Sequence, residues 1–214
     1  MKIFNKKDLV YALGYGVFSI FYGKLLYMEQ ANGYYAYAMQ ITGIDLMQVL
    51  MLLLWFLPKI FAMVYLVQYF MEAYDHCFMY FKIRSRNSNL WLKQVLGTTV
   101  WKLLFFTIVK VLTVGILVKD IDLVLSMYEF LYILFFVVLY MFVYVCIPNA
   151  KVLLATACFH ILIYEGICIL KLLSTQSILF MNNVTMITIM IAVMLNIGII
   201  FIFNYALCKK KYER

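Results

Sequence analysis

Six long runs of apolar residues, separated by short polar breaks, account for almost the whole of this 214-residue chain. About 20 consecutive apolar residues cross the hydrocarbon core of a bilayer as an α-helix, and a helix satisfies all its own backbone groups there. On that ruler the pattern predicts spans near 9–27, 47–71, 95–118, 127–147, 152–172 and 185–207. Connections are short except for 28–46 and 72–94. The predicted fold class is all-α: one polytopic transmembrane domain over 1–214, with both termini cytoplasmic. No internal repeat, low-complexity tract or Gly/Ser linker divides it.

Composition narrows the class further. Hydrophobic residues make up 67% of the chain and charged residues 13%, against about 25% charged in a soluble domain. A single water-soluble core of this size cannot bury that much apolar surface. Lys2, Lys6 and Lys7 before the first apolar run resemble a signal-peptide start. Gly23-Lys24-Leu25 is a poor cleavage site, so the reading is an uncleaved first span. Five cysteines show no C-x-x-C spacing and only His76 and His160 are present. No metal site is expected from them.

The net charge of +8 would suggest nucleic acid in a soluble protein; here its distribution along the chain gives topology instead, and no nucleic-acid partner is expected. With the N-terminus inside, the inner segments carry twelve Lys and Arg, including Lys82, Arg84, Arg86, Lys93 and Lys209 to Lys211, against Asp8, Glu72, Asp75 and Glu213. The outer segments carry Lys24, Lys119 and Lys171 against Glu29, Asp45, Asp120, Asp122 and Glu129. The positive-inside rule therefore puts both termini in the cytoplasm of a multi-pass protein, as in a bacterial plasma membrane. Tyr34, Tyr35, Tyr37 and Trp91 fall where aromatic rings prefer headgroup level, though general composition explains them equally well.

Ionisable groups at membrane depth cost about 2.5–3.5 kcal/mol each at a helix centre. Four lysines and carboxylates stand at depth, away from the very ends of their predicted spans: Lys59, Lys102, Lys110 and Glu165. Lys102 lies near the inner end and is expected to snorkel to the headgroups. At 100° per residue Thr99, Lys102, Phe106, Lys110 and Thr113 share one narrow arc, a polar stripe that should face other helices or a cavity. Lys59 follows Pro58, which frees the carbonyl of Leu54 and kinks its helix. Glu165 reads as the one carboxylate deep in a span. Pairing with Lys59 or Lys110 and a substrate path through all three are both open.

Catalytic signatures are missing. The chain has no G-x-S-x-G turn, no H-E-x-x-H and no G-x-x-x-x-G-K-[ST] loop, so neither hydrolysis nor nucleotide turnover by this chain is expected. All three arginines, Arg84, Arg86 and Arg214, fall in cytoplasmic segments.

The segment 72–93 is the only predicted cytoplasmic surface of any size. It opens with Glu72, Tyr74, Asp75, Phe78 and Phe81 at helical spacing and closes on Lys82, Arg84, Arg86, Trp91 and Lys93. Apolar side chains that can enter a partner's groove, followed by basic ones that hold headgroups, suit a short interfacial docking helix. A charged loop that merely orients the protein is the plainer alternative. The opening Glu72, the turn Arg84-Ser85-Arg86 and the close Leu90-Trp91-Leu92-Lys93 resemble the second-to-third-span loop of permease subunits in type-2 ABC exporters. About 25 residues carry that likeness. The N-terminal helix and the outer re-entrant helices common in that family have little room in 1–8 and 174–184.

The resemblance implies a permease that moves, or gives immunity to, an amphipathic peptide or lipophilic compound. It implies a cytoplasmic ATP-binding subunit holding ATP and Mg, a second permease copy or paralogue, and no cofactor on this chain. A stand-alone membrane immunity or assembly protein is the other reading.

Overall fold

A computed structural model describes residues 6–28, 46–75, 88–117, 123–147, 149 and 186–212. They form five helices: α1 (Lys6–Met28), α2 (Leu46–Ala73), α3 (Ser88–Leu117), α4 (Leu123–Cys146) and α5 (Met186–Tyr212). At 1.5 Å per residue they are roughly 34–45 Å long, more than the ~30 Å of a hydrocarbon core. Among the described residues three stretches are both long and apolar enough to cross a membrane: Leu90–Ile116, Ser126–Cys146 and Ile189–Leu207. The predicted fifth span, 152–172, lies outside the described residues.

Five of the six apolar runs coincide with a described helix, and three of these helices begin well before their runs. α1 starts at Lys6, α3 at Ser88 and α4 at Leu123, three to seven residues before the expected starts. Helical hydrogen bonding continues through polar residues, whereas a hydropathy ruler stops at them. The shift moves Asp8 and Trp91 from expected connections into helices, and Glu129 from the edge of its run to nearly two turns inside a helix.

Contacts fix the direction of each helix. Tyr65 meets Asp8 and Phe61 stacks on Phe18, so α2 runs antiparallel to α1. Asp8 meets Lys102, and Gly16 faces Thr113, so α3 runs parallel to α1. Lys59 meets Glu129 and Asp75 meets Tyr144, so α4 follows α2. Asn196 donates to the Leu131 carbonyl at 3.0 Å, near the start of α4. Phe203 then packs on Phe70, towards the end of α2. α5 therefore runs in the same direction as α2 and α4.

A common core joins the helices, with Ala12, Leu66, Phe70, Phe106, Met141 and Phe203 almost wholly enclosed. The outer faces stay apolar: on α5, Met194, Phe201 and Tyr205 are more than two-thirds exposed. Large contiguous apolar surfaces of that kind are out of place in water and suit lipid.

The α1–α3 seam depends on one missing side chain. A methyl group at Gly16 would lie 3.2 Å from Thr113 Cγ2 and 3.5 Å from Val109 Cγ1. Gly16→Leu is expected to destabilise the protein by about 1–3 kcal/mol through overpacking. Gly14→Leu, which meets nothing within 4 Å, should leave it near wild type. Thermal unfolding in detergent checks the contrast.

Candidate functional site: buried ion pairs and an aromatic cluster

The polar stripe predicted for α3 faces the bundle. Thr99, Lys102, Phe106 and Lys110 are all buried, and Thr113 packs against α1. Such positions need counter-charges, since an unpaired ammonium in an apolar interior is costly. Two carboxylates supply them.

Glu129 on α4 sits between two lysines. Its Oε1 lies 2.9 Å from Lys59 Nζ on α2, and its Oε2 accepts from Lys110 Nζ on α3. Lys59 and Lys110 are each 2% exposed and Glu129 4%. The triad thus ties three helices together where Pro58 removes a backbone donor from α2. Glu165, the carboxylate expected to pair with these lysines, lies outside the described residues. Hydropathy alone puts Glu129 with the outer segments, because the apolar run begins only two residues before it. Its helix begins six residues before it, nearly two turns of depth. Two lysines at membrane depth were the signal that a nearby acid belonged among them.

Asp8 forms the second centre. Lys102 Nζ donates to Asp8 Oδ1 at 2.6 Å, and the Tyr65 hydroxyl donates to the same oxygen at 2.6 Å. The Lys102 ammonium also lies 4.0 Å from the centre of the Tyr69 ring, a favourable cation–π distance. The Tyr69 hydroxyl shares a 3.2 Å hydrogen bond with Thr98. Lys102 does not snorkel, in contrast to the sequence expectation. It is 3% exposed and turned inward, because Asp8 stands inside the first turn of α1.

The described ends of the 72–93 segment pack into the bundle. Tyr74 at the end of α2 packs edge-on against Trp91 in α3, with ring centres 6.1 Å apart, and against Tyr144 in α4 at 6.0 Å. Phe70 joins Trp91 and Phe203 to the same cluster. Trp91 is 2% exposed, so its ring braces the base of the segment from inside. Glu72, Asp75 and Lys93 remain exposed. Asp75 accepts a hydrogen bond from Tyr144 at 3.0 Å. Phe78, Phe81, Arg84 and Arg86 lie outside the described residues. Tyr144→Phe removes that half-exposed bond and should lower stability by only about 1 kcal/mol, read as a small drop in unfolding temperature.

Fold and site together define an all-helical bundle with membrane-length apolar helices arranged around buried ion pairs. No family model, curated protein or solved structure matches the chain.

Proposed function

We propose that this protein is the membrane-spanning subunit of an ABC-type exporter, energised by a separate cytoplasmic ATP-binding subunit that docks on 72–93. The observation that carries this reading is the brace of Tyr74, Trp91 and Tyr144, which couples both ends of that segment to α2, α3 and α4. A push on the segment is thereby delivered to the helices that hold the Lys59–Glu129–Lys110 triad. Glu72, Asp75 and Lys93, which are exposed, would meet the partner, Phe78, Phe81, Arg84 and Arg86 are the other candidate docking residues, and Tyr74 and Trp91 would transmit.

Six spans with both termini cytoplasmic belong to the same proposal. The parallel course of α4 and α5 supports it, since a chain returning to the same direction must cross back between them, and 152–172 is the apolar run available. The triad marks the region an amphipathic peptide or lipophilic compound would pass, and Glu165 is a further candidate for that path. A second permease copy or paralogue would complete the path.

Purification of the tagged chain from its native membranes in a mild detergent tests the reading. Vanadate-sensitive ATP hydrolysis should co-purify and disappear when Phe78 and Phe81 are changed to Asp. A folded chain that brings down no ATPase contradicts it and favours a stand-alone membrane protein.

A further inference from the structure

Two cavities on the α1–α2 seam meet at Tyr11, and their chemistry changes from polar to apolar along it. The polar one, about 540 Å³, opens beside Lys7 near the start of α1 and Gln68, Tyr69 and Glu72 near the end of α2. Its inner wall is the buried Lys102, already neutralised by Asp8. The apolar one, about 170 Å³, continues past Val10, Gly14, Phe18 and Pro58. Phe18 and Phe61 stack at 5.9 Å along it, and Gly14 leaves it open because no atom lies within 4 Å of where a Cβ would stand.

We propose that this seam binds one phospholipid with a zwitterionic, primary-ammonium headgroup, of the phosphatidylethanolamine class. The polar-to-apolar gradient fits an amphiphile with its head at Lys7 and its chain along Gly14. Charge selects the head. Lys7 and Glu72 are both exposed, and neither forms an ion pair within the described residues. The mouth therefore offers one cation for a phosphate and one carboxylate for an ammonium, over a floor whose charges already cancel. Glu72 and the Gln68 carbonyl accept N–H hydrogen bonds, which a choline group cannot donate. An anionic phosphatidylglycerol headgroup would leave Glu72 facing like charge. The site needs no ATPase, and it makes Glu72 common to lipid binding and partner docking.

Native mass spectrometry of the full chain, delipidated in a non-ionic detergent and offered equimolar phosphatidylethanolamine, phosphatidylglycerol and phosphatidylcholine, tests this. One phosphatidylethanolamine per chain should be retained with a preference of about tenfold, or ~1.4 kcal/mol. Glu72→Gln should erase the preference over phosphatidylcholine. Gly14→Phe should fill the apolar cavity and remove the adduct; Val10→Trp, at a position 67% exposed, gives the same reading if Gly14→Phe folds poorly. Equal retention of the three lipids by the wild type, or adducts unchanged in the variants, overturns the proposal. Binding of soluble glycerophosphoethanolamine as strong as that of the lipid overturns it too, since the site would then take a free headgroup.

Discussion

Glu129→Gln is expected to collapse the yield of folded protein. The substitution keeps the side chain's shape but removes the carboxylate that Lys59 and Lys110 share at 2% exposure each. Breaking a buried charge network by deleting one partner costs about 3–5 kcal/mol, because the remaining charges stay in a low-dielectric interior. Against a total stability of about 5–15 kcal/mol, that is enough to lose most of the folded population. Replacing the whole triad is a different experiment. With Lys59→Met, Lys110→Met and Glu129→Leu together, no charge is left to desolvate, and such replacements are often neutral or stabilising by about 1–4 kcal/mol. The triple variant should therefore fold. If it folds but loses the export proposed above, the charges serve that transport; if it folds and that export is unchanged, they serve packing alone. Wild-type thermal stability of Glu129→Gln in detergent would mean that Glu129 does not hold the two lysines.

Asp8→Asn should have the second-largest effect, near the lower end of the same ~3–5 kcal/mol range. Lys102 would lose its carboxylate but keep the Tyr69 ring at 4.0 Å. Tyr65 would still have an amide oxygen to donate to. Asp8→Leu combined with Lys102→Met should recover much of the loss. A double-mutant cycle should give a coupling of more than about 1 kcal/mol, since groups in direct contact are not additive. Additive effects would show that the 2.6 Å pair contributes little. Both predictions are read by thermal unfolding of purified variants.

These two centres mark where the amino-acid sequence was readable. The stripe on α3 was legible because a lysine in an apolar run is conspicuous, and 3.6-residue periodicity puts Thr99, Lys102, Phe106 and Lys110 on one face. All four are buried in the bundle. Their acidic partners were not legible. Asp8 and Glu129 stand within two residues of the edges of their apolar runs, where a hydropathy ruler cannot separate loop from helix. The helices run past those edges, because polar residues hydrogen-bond along a helix as well as apolar ones do. Trp91 was misplaced for the same reason. A tryptophan beside Lys93 looks interfacial, yet in α3 its ring turns inwards onto Phe70 and Tyr74. Helix direction was legible only as an alternation of spans; the contacts of Asn196 and Phe203 give α5 its direction directly.

The most direct test of the functional reading is a photo-crosslinking amino acid at position 78, activated in intact cells. The account predicts one dominant adduct between this chain and an ATP-binding subunit, absent when the same probe stands at Leu195, which is 56% exposed on the apolar face of α5. An adduct at position 78 with lipid alone, or with a protein that binds no nucleotide, would contradict it.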